Sequence, residues 1–371
     1  MANYIDYLQW RGDLSFKQSA FNSVDNIILC KISYFKFENF IAPYFSEKAP
    51  SIPDACIFLL ENLKKFSDDG YPISDEDVKF CRALIASQRF QKTKMTGYIN
   101  HIDPVAEKQF SAVTFLTDDH KAFVAFRGTD NTLIGWKENF NMSFSDLIPA
   151  QTEAKKYLSE AISHLFWRSF RVGGHSKGGN LAVYASASVP RIKQFWIREI
   201  YANDSPGFQE KTLSNDGFSR ISNKIQSFIP QSSLVGNLLH HTGHLSIIRS
   251  TGADGFFQHF LDTWQISGDH LIQEKKLTGL GQFFDITVTN WLQEIGPAER
   301  EKLIDGIYQV LISTNLQNMT DLFNLRNSVN VMKAIARMDD ETQKLLKEVT
   351  AILLKSMRKA IPEAINDSRK L

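Results

Sequence analysis

The sequence predicts an α/β fold in which a mostly parallel central sheet is flanked by helices. Between residues 93 and 272, short runs of β-branched and aromatic residues alternate with stretches whose apolar residues recur at helical spacing. A hairpin-like turn at residues 118–120 joins two of the early runs, whereas helices separate the later ones. Antiparallel entry strands followed by strand–helix–strand units are typical of a mostly parallel sheet covered on both faces.

The individual elements of this region follow from the same periodicity. Helices are predicted over residues 154–165 and over about 178–189, where the second helix ends before Pro190. Strands are predicted at residues 95–101, 110–116, 122–126, 170–172, 197–202, 225–229 and 245–249.

Two helical regions flank the sheet region, so the chain divides into residues 1–92, 93–272 and 273–371. We expect the first region to pack on or cap the core. Ser74 and the Gly296–Pro297 pair have the composition of helix starts. The last predicted helix, over about 341–359, carries an apolar stripe and a basic end. It either packs on the core or binds a membrane surface or a partner.

Composition excludes several function classes. The chain has 371 residues, 43% of them apolar, and a formal charge of +1, which gives no electrostatic basis for a nucleic-acid partner. No apolar run approaches the roughly 18 residues of a spanning helix, and the N-terminus lacks a basic signal region. We therefore expect a cytoplasmic protein without stable membrane insertion, and contact with a lipid surface stays open. Its oligomeric state is not predicted. Cys30, Cys56 and Cys81 are expected to be buried reduced thiols.

The most informative stretch is residues 171–180, which read Arg-Val-Gly-Gly-His-Ser-Lys-Gly-Gly-Asn between a predicted strand and a predicted helix. Gly174, Ser176 and Gly178 match the pattern Gly-x-Ser-x-Gly of a nucleophile elbow, a sharp turn that exposes a serine hydroxyl. Chance alone supplies these three positions in roughly one chain in ten of this length. The strand–helix context makes Ser176 the candidate nucleophile.

A nucleophilic serine requires a base to accept its proton and an acid to orient that base. Asp204 lies just after the predicted strand 197–202, whereas the next strand ends at Pro230 without a following carboxylate. Asp204 is therefore the best-placed acid by elimination, with an Asx turn or a helix cap as its alternative role. Asp216 and Asp254 are the fallbacks.

The candidate base is His259, because it follows the last predicted strand and its 252–255 loop. A rival cluster, just before that strand, comprises His240, His241 and His244. His175 precedes Ser176 directly and is expected to be structural, with its side chain directed away from the nucleophile into the elbow.

Acyl transfer also requires N–H donors that stabilise an oxyanion. One is expected from the backbone of Lys177, the residue after the nucleophile. The second is expected from the backbone of Thr129, with help from its hydroxyl, in the loop after strand 122–126. The alternative for this loop is an ordinary strand-to-helix turn. No metal or cofactor is required.

Several separated motifs support a family resemblance. They are Val-Ala-Phe-Arg-Gly-Thr at 124–129, Gly-His-Ser-Lys-Gly-Gly-Asn-Leu-Ala from 174, Tyr-Leu-Gln-Trp-Arg-Gly-Asp-Leu-Ser-Phe at 7–16, Phe-Asn-Ser-Val-Asp-Asn at 21–26, and Gln-His at 258–259 with Trp264. Over residues 1 to about 310 the sequence resembles the bacterial Mbeg-like family of α/β-hydrolase-fold proteins. More distantly, the elbow and the Arg-Gly-Thr loop are similar to fungal-type triacylglycerol lipases. The resemblance implies an α/β-hydrolase fold, Ser176 as nucleophile and the Thr129 loop as oxyanion loop.

The chain departs from the lipase pattern at two positions. Those lipases carry their acid after the strand that here ends at Pro230, and an apolar residue follows their serine where this chain has Lys177. The Lys177 side chain favours an anionic substrate or lowers the effective pKa of the nucleophile, or else it lies on the helix surface without a role.

A lid follows the oxyanion loop in those lipases. Here the corresponding segment is a mobile lid or a packed core segment, and it is rich in apolar residues: Leu133, Ile134, Trp136, Phe140, Met142, Phe144, Leu147 and Ile148.

These observations favour a serine hydrolase that cleaves a carboxylic ester of a small molecule through an acyl-enzyme on Ser176. The 28 phenylalanines favour an apolar acyl group. A hydrolase-fold interaction or regulatory protein that lost turnover is the alternative from another class. A thioesterase or amidase using the same residues is a further alternative.

Overall fold

An eight-stranded sheet forms the centre of the fold. The computed structural model describes residues 2–68, 73–103, 105–129, 133–142, 145, 147–314 and 340–369. In the order in which they lie side by side, the strands of this sheet are β1 (Lys94–Asp103), β2 (Lys108–Leu116), β3 (Lys121–Phe126), β4 (Ser169–His175), β5 (Ile197–Asn203), β6 (Ile225–Pro230), β7 (His244–Ile248) and β10 (Gln273–Glu274). The two remaining strands, β8 (Ile266–Ser267) and β9 (His270–Leu271), pair with each other.

Strand directions match the predicted fold class. Strands β1, β2 and β3 pair antiparallel, β3 to β7 run parallel to one another, and β10 is antiparallel to β7. All seven predicted strands are present, and β4 is longer than predicted at both ends. Because β3 to β7 are parallel, their carboxyl ends meet at one edge of the sheet. In the β4–β5 register His175 lies opposite Asn203, which brings the elbow beside the end of β5.

Helices precede, connect and follow the strands. Five precede the sheet: α1 (Tyr4–Arg11), α2 (Ser23–Ile32), α3 (Ile52–Glu61), α4 (Leu63–Asp68) and α5 (Asp75–Ala86). Six lie between strands: α6 (Leu133–Asn141), α7 (Pro149–His164), α8 (Lys177–Ser188), α9 (Arg191–Gln194), α10 (Glu210–Leu213) and α11 (Asp216–Ile221). In the part of the chain that the structure describes, three follow: α12 (Gly279–Glu294), α13 (Pro297–Ser313) and α14 (Asp340–Arg369). Single 3₁₀ turns occur at Ser222–Lys224, Gly255–His259 and Leu261–Thr263.

Local capping explains where several helices begin. The N-caps of α1, α2, α3 and α5 are an Asn or a Ser, and an Asp three residues later returns a hydrogen bond to the cap backbone. The predicted start at Ser74 is the cap of α5, and α13 begins at Pro297 as predicted. α7 begins five residues before its predicted start, and α14 extends ten residues beyond the predicted end.

The side chains of β3 alternate between two cores, one on each face of the sheet. Phe123 and Ala125 belong to the core that the N-terminal helices cover. Ala122, Val124 and Phe126 belong to the core beneath α7 and α8. The N-terminal helices thus share a core with the sheet.

Helices α12, α13 and α14 contact one another and the rest of the chain. Trp291 of α12 donates a hydrogen bond to the Val349 carbonyl of α14, and Asp305 of α13 lies 2.9 Å from Lys137 of α6. Within the described ranges, no helix combines the length and the apolar character needed to cross a bilayer. Cys30, Cys56 and Cys81 are buried, and none of them forms a disulfide.

A buried ion pair joins the N-terminal helices to the turn before the sheet. Arg89 donates from Nε to Asp25 Oδ1 at 2.6 Å and from Nη2 to Oδ2 at 2.5 Å, and both side chains are fully buried. Tyr7 adds a hydroxyl hydrogen bond to Asp25. Each charge therefore depends on the other for its compensation.

We expect Arg89→Met to lower the free energy of unfolding by about 3–5 kcal/mol, because it leaves the Asp25 carboxylate buried without its cation. Urea denaturation measures the change. Lys79→Met is the matched control, since the ion pair of Lys79 with Glu76 is exposed and therefore contributes little to stability. An Arg89→Met variant as stable as Lys79→Met would contradict the assignment.

Candidate active site

Ser176 occupies the corner between β4 and α8 in a backbone conformation that non-glycine residues rarely adopt. Its φ is 58° and its ψ is −135°. Its N–H donates to the Asn203 carbonyl at 2.9 Å, and its own carbonyl accepts from Gly179 at 2.9 Å. A Cβ on Gly178 would lie 2.1 Å from the Phe126 carbonyl oxygen, so only glycine fits there. The geometry is that of the predicted nucleophile elbow.

Asp204 and His259 are brought together at the carboxyl edge of the sheet. Asp204 directly follows β5, is fully buried, and has its Oδ2 2.7 Å from His259 Nδ1. Its Oδ1 accepts from the Ser233 hydroxyl at 2.5 Å. Both carboxylate oxygens are therefore engaged, and within the described ranges the side chain forms neither an Asx turn nor a helix cap. Ser233 lies in the loop after β6, the position at which the lipases carry their acid.

His259 is held by contacts on both sides. It ends the 3₁₀ turn Gly255–His259, where the neighbouring Gln258 accepts from the Ser232 N–H at 2.8 Å. The His259 carbonyl is 2.8 Å from His175 Nε2, and the two imidazole rings lie 4.3 Å apart between centroids. Because His175 precedes Ser176, this bond joins the loop of the candidate base to the elbow.

His175 is buried between two partners and does not bind the candidate acid. Its Nε2 faces the His259 carbonyl, and its Nδ1 lies 2.8 Å from the Tyr34 hydroxyl. Burial and the neighbouring His259 lower the pKa of His175 well below its ordinary value. The ring is therefore neutral at neutral pH and contributes hydrogen bonds rather than charge.

The rival histidines have other surroundings or partners. His241 Nε2 bonds the Gly236 carbonyl at 2.7 Å, and burial lowers its pKa. His240 is exposed with Glu210 at 3.7 Å, and His244 is exposed at the start of β7. In the part of the chain that the structure describes, none of these three bonds to Asp204.

The two fallback acids also have other surroundings. Asp216 lies in the first turn of α11, and Asp254 accepts from Gln258 Nε2 at 3.3 Å. Among the described residues, neither is paired with a histidine.

The loop after β3 packs directly against the elbow. A Cβ on Gly128 would lie 3.0 Å from Ser176 Cβ, 2.6 Å from the His175 carbonyl oxygen and 2.2 Å from the Tyr34 hydroxyl. The hydroxyl of Thr129, the next residue, is buried and has no hydrogen-bond partner among the described residues. Such an orphaned polar atom beside a nucleophile elbow is a feature that a ligand oxygen would satisfy.

The side chain of Lys177 contradicts the expectation that it lies on the helix surface. It is fully buried, and its Nζ lies 2.6 Å from Glu138 Oε2 and 2.7 Å from both the carbonyl and the Oε1 of Gln109. Glu138 neutralises the cation directly. The interpretation as a cation that favours an anionic substrate therefore loses its basis.

Glu138 holds the segment that follows the loop after β3. It belongs to α6, and it also accepts backbone hydrogen bonds from Gln109 at 3.1 Å and Ala150 at 3.0 Å. One carboxylate thus connects β2, α6 and the start of α7 to Lys177.

These contacts favour a packed segment over a mobile lid. Of the apolar residues in the lid prediction, Met142 and Ile148 are buried and Leu147 is exposed. Phe144 and the side chains of Leu133, Ile134, Trp136 and Phe140 lie outside the described residues.

Residues from the N-terminal helices support the site, and the sequence alone did not assign them. Asn26 and Asn203 exchange side-chain amide hydrogen bonds of 2.8 and 3.1 Å, and Asn203 also donates to the Gly174 carbonyl at 3.0 Å. This pair fixes the residue before Asp204 against the elbow. Asn26 is the last residue of the motif at 21–26. The motif therefore drew attention to this segment, but it gave no indication that Asn203 is the partner of Asn26.

A protein-family model described as Mbeg1-like matches residues 84–309. A search of curated proteins finds no match. Three potential metal ligands do not come together anywhere in the described residues.

Several solved lipase structures align with the chain. The Rhizomucor miehei lipase–propeptide complex is 12% identical over 59% of this chain and 80% of that chain, with a TM-score of 0.36. The Lip2 lipase of Yarrowia lipolytica is 11% identical over 67% of this chain and 95% of that chain, with a TM-score of 0.35. The lipase of Rhizopus microsporus var. chinensis is 14% identical over 59% of this chain and 87% of that chain, with a TM-score of 0.35. The α/β-hydrolase assignment follows from the chain's own sheet topology and elbow.

We expect Lys177→Met to lower the free energy of unfolding by about 3–5 kcal/mol, because Glu138 becomes an unpaired buried charge. The double variant Lys177→Met/Glu138→Gln removes both charges, and the amide oxygen of the glutamine keeps an acceptor for one of the two backbone N–H groups. It should recover at least half of the loss in urea denaturation. Additive losses from the two single variants would show that the residues do not act as a pair.

Proposed function

The chain belongs to the Mbeg1-like family, and we propose that it is a serine hydrolase that cleaves a carboxylic ester through an acyl-enzyme on Ser176. The observation that carries the proposal is the 2.7 Å contact between Asp204 and His259 at the sheet edge where the strained Ser176 lies. A base oriented by a buried carboxylate is the arrangement that serine nucleophiles require.

In this proposal the Asp204 carboxylate accepts a hydrogen bond from the N–H at His259 Nδ1. The opposite ring nitrogen, Nε2, then presents a lone pair and accepts the Ser176 hydroxyl proton as the oxygen attacks the ester carbonyl. The buried carboxylate stabilises the imidazolium that forms. His259 returns the proton to the leaving alkoxide, and water later resolves the acyl-enzyme by the same route.

The oxyanion would accept hydrogen bonds from two backbone N–H groups, that of Lys177 at the start of α8 and that of Thr129. The N-terminus of α8 also places a positive helix-dipole end at the developing charge. The orphaned hydroxyl of Thr129 supports a third donor from the same residue.

Exposed aromatic side chains near the base in sequence support an apolar acyl group. Phe257 and Phe260 flank His259 in sequence and are both exposed. They favour an ester of a small apolar acid as the substrate. A thioester or amide would meet the same nucleophile, so an acyl-substrate panel decides among the three.

A fluorophosphonate probe is expected to label wild-type protein at Ser176 and to leave Ser176→Ala unlabelled, as read by intact mass and peptide mapping. Asp204→Asn should lower kcat on a reactive ester by about 10³–10⁴-fold, because it disrupts the orientation and tautomer of the base. His259→Gln should be similarly impaired.

Two matched controls are available. Asp216→Asn and His240→Gln change the same residue types away from Ser176 and should retain wild-type rates. Folded wild-type protein that neither reacts with the probe nor hydrolyses any ester would favour the alternative, an interaction or regulatory protein without turnover.

We expect Thr129→Val to lower kcat by about 10²-fold without loss of stability, because the hydroxyl has no hydrogen-bond partner among the described residues yet would bind the oxyanion. Thr129→Ser should keep most of the activity. Thr93→Val is the matched control, since the Thr93 hydroxyl is also buried without a partner in the described residues but lies in the turn before β1. Equal rates for Thr129→Val and wild type would remove the hydroxyl from the mechanism.

A further inference from the structure

We propose that Tyr34 and His175 are positioning residues that hold His259 in its working orientation. This inference rests on the proposed function, in which His259 is the base. Three consecutive contacts of 2.7–2.8 Å carry it: Tyr34 hydroxyl to His175 Nδ1, His175 Nε2 to the His259 carbonyl, and His259 Nδ1 to Asp204 Oδ2.

The partners of His175 define its tautomer. A backbone carbonyl can only accept a hydrogen bond, so Nε2 of His175 must carry the proton in its contact with His259. In the neutral ring Nδ1 is then an acceptor, and the Tyr34 hydroxyl must donate to it. Burial lowers the pKa of His175, which agrees with a ring held neutral by this pair of contacts.

The neutral state matters because the two imidazole rings lie 4.3 Å apart at an interplanar angle of 33°. When His259 accepts the Ser176 proton it becomes an imidazolium. A neutral neighbour tolerates that charge, whereas a protonated His175 would repel it. The Tyr34 hydrogen bond favours the neutral tautomer and so protects the basicity of His259.

The same contacts restrain the main chain of His259. Gln258 is anchored by Ser232 and by Trp264, whose Nε1 donates to the Gln258 carbonyl at 3.0 Å. The bond from His175 acts on the next peptide unit, the one that carries the base itself. A displacement of about 1 Å at such a group costs on the order of 10²-fold in rate.

Tyr34 also links the base to the oxyanion loop. Its hydroxyl occupies the space that a Cβ on Gly128 would need, with a separation of 2.2 Å. Tyr34 follows α2 and lies outside the residues 84–309 that the family model matches. The N-terminal helical region therefore supplies part of the catalytic geometry in addition to covering the sheet.

The test measures fluorophosphonate inactivation of full-length protein and separates the maximal rate constant from the half-saturating probe concentration. Tyr34→Phe should lower the maximal rate constant about tenfold and leave the half-saturating concentration unchanged. His175→Leu should lower it about 10²-fold. His175→Gln keeps an N–H donor for the His259 carbonyl and should recover to within about tenfold of wild type. Tyr44→Phe, at an exposed tyrosine, is the matched control.

A second readout is the ¹⁵N spectrum of histidine-labelled protein. We expect His175 as the neutral Nε2–H tautomer in wild type and a tautomer mixture in Tyr34→Phe. Wild-type inactivation rates in both Tyr34→Phe and His175→Leu would overturn the proposal while the proposed function stands. Unlabelled wild-type protein would instead overturn the proposed function. In that case the spectrum would still test the hydrogen bonds of His175 with Tyr34 and His259, and an Nδ1–H tautomer would refute them.

Discussion

The site depends on one backbone hydrogen bond, from the N–H of Ser176 to the carbonyl of Asn203. It secures a turn whose positive φ costs about 1–3 kcal/mol, and such a conformation persists only where its surroundings determine it. The parallel register of β4 and β5 makes the bond available, because His175 lies opposite Asn203. The same register places Asp204, the residue after Asn203, beside the elbow. The pairing of β4 with β5 therefore positions both the strained serine and the buried carboxylate.

Buried polar pairs then connect that corner to distant parts of the chain. Lys177 is bound to Glu138 of α6, and Asn203 is bound to Asn26 of α2. Each of these groups would be costly to bury without its partner. The two elements that carry a pair must therefore pack together for either group to be buried. These two pairs therefore connect α6 and α2 to Lys177 and Asn203, the residues that adjoin Ser176 in sequence and in the sheet register.

The sequence was sufficient for features set by local pattern and chain order. Period-two and helical spacing predicted the seven long strands, while β8 to β10 have two residues each and are too short to show a period. Strand ends indicated Asp204 and His259, because parallel strands end at one edge. Side-chain partners were not predictable: Glu138 precedes Lys177 by 39 residues and Tyr34 precedes His175 by 141. The spacing of residues along the chain does not specify which helix packs beside a given residue.

The location of the candidate acid illustrates how neighbouring parallel strands can exchange a role. Strands β5 and β6 end at the same edge, so a carboxylate after either one can reach a histidine that arrives from the loop after β7. Here the carboxylate follows β5, and Ser233, after β6, donates its hydroxyl to Asp204 Oδ1. This arrangement requires a positive φ of 41° at Asp204, and it requires a glycine at position 236, where a Cβ would lie 2.4 Å from Oδ1. The three candidate residues keep the chain order Ser, Asp, His, and the loop after β6 contributes a hydrogen bond to the candidate acid.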